Sequence, residues 1–145
     1  MANQPKQEIT PLSEADHKRL HDQRGVVEEY LADENSRQKY KMAAGKLGII
    51  HGILESDLFK PNQTYELQCL GSVLGDAFVQ KLNMEWIMVE DEYGRDPAVR
   101  LPGTDITLFP LTMISKRVER GEKVHVFDLF NNLPAGVDEL RRPSH

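Results

Sequence analysis

Between residues 85 and 105 the chain carries six acids and two bases. Four of the acids, Glu90, Asp91, Glu92 and Asp96, fall within seven residues, and Arg95 is the one base among them. Such a stretch has three chemical uses. It can be a solvated rim, its carboxylates keeping a turn hydrated while Arg95 pairs with a neighbour. It can recognise a basic partner, since complementary charge steers encounter and fixes register; Glu90, Asp91, Glu92, Tyr93, Arg95 and Asp96 are then the contact set. It can also hold a divalent cation or supply an acid–base pair, as a small enzyme would use it. The spacing is not that of an EF-hand, which needs oxygen ligands at alternating positions and a glycine at the sixth. Acid–base work needs a defined separation in space, which spacing along the chain does not give.

Ser115, Lys116, Arg117, Arg120 and Lys123 form a second constellation. On a helix, neighbouring residues point about 100° apart. Ser115 and Lys116 therefore do not face each other as nucleophile and base. The expectation is a solvated basic face, able to pair with the acidic stretch. His17 and His21 lie one turn apart, but a metal site needs three or four converging ligands. His51 is expected at a core edge and His125 toward solvent. Cys69 sits beside Leu70 in an apolar segment, with no neighbouring base to activate it, and reads as a small buried hydrophobe. There is no phosphate-binding glycine loop, nucleophile elbow or pair of cysteine ligands. The expectation is no cofactor and no metal.

The formal net charge of −5 over 145 residues argues against nonspecific nucleic-acid binding, which needs clustered Lys and Arg. Apolar runs stop at four or five residues, too short to span a membrane. Residues 1–11 are polar, unlike a signal peptide. A single cysteine forbids an intrachain disulfide and points to a reducing compartment, hence the cytoplasm.

The elements that must position these residues follow from periodicity. Residues 1–12 read as a flexible tail. Ser13 and Asp16 form a near capping box opening a helix to about residue 33. A second helix is expected over 36–55, with two apolar stripes and with Gly45, Gly48 and Gly52 on one side. A third runs to about Leu82, with Gly71 and Gly75 one turn apart. The glycines of these two helices either face each other across a close contact or make room for bulky neighbours. From Trp86 the period changes to two, for a strand buried on both faces. A polar turn over 90–96, a strand over 98–101, a Pro102-Gly103 turn and a strand over 106–109 complete an antiparallel meander. Pro110 opens a helix ended by Gly121. An edge strand over 124–127, a helical turn over 128–133 and a tail over 141–145 close the chain. The fold class is α+β: one domain over 13–140, with N-terminal helices packed on a meander of three to four strands and short C-terminal helices.

Leu70-Gly71, Leu74-Gly75, Glu85-Trp86, the run from Val89 to Ala98, Leu108-Phe109-Pro110, the run from Met113 to Glu119, and Asp128-Leu129-Phe130 recur in order and spacing in a bacterial family of uncharacterised domains. The chain resembles that family over residues 70–130. The resemblance implies no activity and transfers no catalytic residue. By fold-level analogy it points to immunity proteins and adaptors. The reading preferred from the sequence is a non-enzymatic, cytoplasmic domain that binds another protein of basic surface, such as a toxin it neutralises, through the acidic hairpin. The alternative is a small enzyme using the carboxylates of residues 90–96, with a metal. A homodimer built on the first helix is a third reading.

Overall fold

Ser13 opens the first helix as its sequence predicts. Its hydroxyl accepts the Asp16 N–H and the Asp16 carboxylate accepts the Ser13 N–H, at 3.1 and 2.8 Å. This closes a capping box on α1, Glu14–Glu28. The computed structural model describes residues 7–132, so the expected tail over 141–145 lies outside the described residues. Asp33 caps α2, Glu34–Tyr40, through the Ser36 N–H at 2.7 Å.

The single helix expected over 36–55 is two. The chain breaks at residues 41–42, and α3 runs Ala43–Glu55. A Cβ at Gly45 would lie 1.8 Å from the Lys39 carbonyl oxygen. Gly45 therefore lets α3 fold back against the end of α2, and Lys46 Nζ takes the Tyr40 carbonyl at 2.8 Å. The helix α4, Thr64–Leu82, ends at Asn83 in the left-handed region, φ 56°. It is the central element: Leu67, Leu70, Val73, Leu74, Ala77 and Phe78 are all fully buried.

The sheet is antiparallel in the order β1-β2-β3-β4. Its strands are β1 Glu8–Thr10, β2 Glu85–Asp91, β3 Gly94–Arg100 and β4 Thr107–Leu108. Two expectations are corrected here. Residues 8–10, read as part of the loose tail, pair with β2; three residues with one apolar side chain are too few to show a period. The turn expected over 90–96 is only Glu92 and Tyr93, because Arg95 and Asp96 belong to β3. The expected burial of both faces holds, with Ile87, Met88 and Val89 all inside.

After β4 come α5, Pro110–Glu119, and α6, Val126–Asn131. The edge strand expected over 124–127 is therefore absent. Val124 and Val126 are buried in alternation, but Val126 and Phe130, four apart on a helix, seal α6 onto the core.

The glycines of α3 and α4 do not face each other, and of the two readings the one that makes room for a bulky neighbour holds at Gly75. A Cβ at Gly71 would lie 2.4 Å from both Leu111 Cα and the Pro110 oxygen, so α5 crosses α4 there. A Cβ at Gly75 would strike the Trp86 ring at 2.2 and 2.3 Å. Gly48 and Gly52 meet nothing within 4 Å. The close approach of α4 is thus to the elements after it, while α3 is approached at Gly45, by the end of α2, and is open at Gly48 and Gly52.

Candidate functional site

The β2–β3 register decides where the acidic residues stand. Glu90 pairs with Arg95, Asp91 with Gly94 and Val89 with Asp96. Directly paired residues share a face of a sheet, and neighbours along a strand alternate. Glu90 and Arg95 therefore stand on the face of Trp86 and Met88, toward α4. Asp91 and Asp96 stand on the opposite face, beside the buried cluster of Ile87, Val89, Ala98 and Phe109. Glu92 and Tyr93 form the tip, with Tyr93 50% exposed. The six residues expected to act together are divided among two faces and a tip.

Arg95 reaches α1. Its Nη1 and Nη2 donate to Asp16 Oδ1 and Oδ2, both at 2.8 Å. The Arg95 hydrogen bonds hold the buried Asp16 carboxyl well below the usual carboxylate range, against the opposing effect of burial. Asp16 thus closes a helix cap and anchors the hairpin at once. The capping box is visible in the sequence; its partner 79 residues away is not. At the tip, Asp91 Oδ1 accepts the Tyr93 N–H at 2.8 Å, a local turn bond. The Glu92 carboxylate beside Tyr93 raises its phenol above the ordinary value.

A second polar cluster was not singled out from the sequence. Asp76 accepts Arg24 Nε at 2.5 Å and Nη2 at 2.9 Å, and Trp86 Nε1–H at 2.9 Å. Lys46 is buried, with Nζ 4.9 Å from the Tyr40 ring centroid. Burial lowers the Lys46 ammonium, while Asp76 and Glu28 pull it back. Burial, together with the nearby Glu28 carboxylate, raises the Tyr40 phenol. Buried Ser72 donates to Gln23, joining α4 to α1. The readable signal was a carboxylate, Asp76, inside the apolar run of α4. Its two donors lie on other elements, which spacing does not reveal. Two bases, Arg24 and Lys46, balance two acids, Asp76 and Glu28. Asp76 ties α1 and β2 to α4, and Lys46 ties α3 to the end of α2.

The basic constellation is engaged within its own segment and with α3, and its Arg120 and Lys123 pair there, not with the acidic hairpin. Arg120 bonds Glu122 at 2.8 Å, Lys123 faces Glu55 at 3.8 Å, and Arg117 donates to the Met113 carbonyl at 2.8 Å. Ser115 is buried and bonds the Leu111 carbonyl, so it is not displayed with Lys116. His17, His21 and His125 are exposed. His51, expected at a core edge, is exposed too and lies edge-on to Phe127. Cys69 is fully buried, and burial pushes its thiol up to about 11. Among the described residues no three His, Cys, Asp or Glu converge on a point that could hold a metal ion. A groove of about 450 Å³ runs between α2 and α3, lined by Leu31, Met42, Gly48 and Ile49 among others.

A family model described as a domain of unknown function, DUF3806, matches residues 46–130. The chain belongs to this family. The resemblance over residues 70–130 lies wholly inside the matched span. No curated protein matches the chain. A crystal structure from Bacteroides thetaiotaomicron shares the fold, with a TM-score of 0.70 at 14% identity. The match covers 92% of this chain and 50% of that one, so this chain spans about half the length of its structural relative. The DUF3806 span holds Lys46, Ser72, Asp76, Trp86 and the whole hairpin. Asp16, Gln23 and Arg24 precede it. Each of the three contacts Asp16–Arg95, Gln23–Ser72 and Arg24–Asp76 therefore joins α1 to the matched domain.

Proposed function

We propose that this DUF3806 chain is a non-enzymatic protein-binding domain whose hairpin tip engages a basic surface on another protein. The observation that carries this reading is the Asp16–Arg95 clamp. It compensates the one base of residues 90–96 from within the fold. The field at the exposed Glu90 and Glu92 is then dominated by carboxylates, with Tyr93 half exposed between the strands. Rim charge of this kind acts on association rate and is felt within about 8 Å at physiological salt. Tyr93 adds the amphipathic contact area that interfaces favour. The enzyme alternative needs the carboxylates to converge, and the register sends Glu90 and Asp96 to opposite faces. A toxin neutralised in the cytoplasm is the case in which the basic partner is a cognate toxin. The single buried Cys69 supports that reducing setting. Among the described residues no helix is long and apolar enough to cross a membrane.

The test is Glu90→Gln/Glu92→Lys, which spares the turn bond of Asp91. Proteins retained from a lysate by the parent chain are identified, and each is purified. The expected result is a basic partner that the parent binds directly, with an association rate that falls as salt rises and falls further in the variant. A folded variant that binds every such partner at the parent's rate refutes the reading.

A further inference from the structure

The strand β1 covers the outer edge of β2, yet all three of its residues are exposed, Ile9 by 40%. With no buried side chain, it is held by main-chain bonds to residues 88–90. Its register places Glu8 directly opposite Glu90. Like charges facing each other across strands weaken the pair. Arg95, on the other side of Glu90, is already bound through both terminal nitrogens to Asp16. The edge beneath is firm: Met88 is 1% exposed and Val89 fully buried. On the other side of β1, exposed Pro11 leads to the capped start of α1, which the Asp16–Arg95 clamp holds in place. So β1 can leave without disturbing α1.

We infer that β1 is a displaceable strap over a strand-addition edge, and that the segment replacing it is an extended stretch of a partner with Lys or Arg opposite Glu90. Strand addition takes its affinity from main-chain bonds and its selectivity from alternate side chains. Here the selective position is the one Glu8 occupies, where a base turns repulsion into attraction. The inference rests on the basic-partner reading of the hairpin and adds the form of the partner, an extended strand. The tethered strap competes at a high effective concentration. Occupancy of the edge by a partner is therefore regulated by whatever loosens β1.

The probe is a synthetic peptide of residues 7–12 carrying Glu8→Lys, titrated into full-length chains while backbone amide NMR signals of residues 88–90 are followed. In Ile9→Pro/Thr10→Pro, one of the two lost N–H groups must face β2, because neighbours along a strand alternate. That chain is expected to saturate at roughly tenfold lower peptide concentration than the parent, and the unsubstituted peptide to bind it roughly tenfold more weakly. The chain carrying Glu8→Lys, whose strap is tightened, should resist the peptide and protect the amides of residues 88–90 from hydrogen exchange. Circular dichroism checks that each chain keeps its helices. Equal affinity in parent and proline variant, or shifts confined to the outer side of β1, overturns the strap. If the peptide leaves β2 untouched while a basic protein still depends on Glu92, the strap fails and the hairpin reading stands. If the peptide seats on β2 and no basic protein depends on the tip, the strap stands and the hairpin reading fails.

Discussion

Asp16 shows how one side chain serves two levels of structure. It closes the cap of α1 on Ser13 and receives both terminal nitrogens of Arg95. The two roles separate by mutation. Ser13→Ala removes only the side-chain half of the cap and should cost about 1 kcal/mol. In a chain of this size that lowers the melting temperature by roughly 3–5 °C. Asp16→Asn keeps an oxygen for the Ser13 N–H but loses the charge that Arg95 needs, so it should melt lower than Ser13→Ala at neutral pH. The pH dependence gives the sign. The folded carboxyl titrates below its unfolded value of about 3.9. Its contribution is therefore fully present above that value and is lost as pH falls toward the folded one. The gap between parent and Asp16→Asn in thermal melts should be constant from pH 7 to 5 and narrow below about pH 4. A gap independent of pH would show that the clamp contributes shape and not charge. The sequence displayed the cap because Ser13 and Asp16 are three residues apart. It hid the clamp because Arg95 is brought to Asp16 only by the sheet.

At the scale of elements, legibility followed length and period. The 19 residues of α4 repeat their apolar stripe over five turns, and β2 shows itself from Trp86 to Val89, whereas the polar first half of β3, Gly94 to Pro97, reads as turn. The misread pieces are short. The three residues of β1 carry no pattern. The break between α2 and α3 is made by carbonyl contacts that a helical period does not encode. Val124 and Val126 alternate like a strand, yet α6 is set by Phe130 packing against Phe78, with ring centroids 4.9 Å apart. The glycines were legible as close contacts but not as to which helix approaches. That difference is measurable. Gly71→Ala places a methyl group against backbone atoms of Pro110 and Leu111, which cannot rotate away. It should cost about 1–3 kcal/mol by forcing α5 off α4. Gly48→Ala faces open space on α3 and should stabilise by about 0.5–1 kcal/mol through helix propensity. Urea denaturation of the two variants checks both. Equal effects would mean that α4 and α5 are not in backbone contact at Gly71.

Across the whole molecule, α4 stands between the other helices and the sheet, and polar ties cross both of these seams. Gln23–Ser72 and Arg24–Asp76 join α1 to α4, Trp86–Asp76 joins β2 to α4, and Arg95–Asp16 joins β3 to α1. Removing one partner of such a tie leaves a polar group poorly solvated. Neither layer can therefore open without exposing groups of the other. This argues for a single cooperative unfolding step, as small domains commonly show. Trp86 supplies a local probe, since its ring lies on Gly75 and its indole N–H on Asp76. Its fluorescence reports the α4–sheet seam, whereas far-ultraviolet circular dichroism reports mainly the helices. The two urea transitions should share one midpoint and one slope. The hairpin variant Glu90→Gln/Glu92→Lys should keep the parent's unfolding free energy to within about 0.5 kcal/mol, because both side chains are exposed. Arg24→Ala should move both probes together to lower urea, since it strips Asp76 of its bidentate partner. If the Trp86 transition instead precedes the helical one, the sheet unfolds on its own, and the ties through Asp16 and Asp76 do not couple the layers.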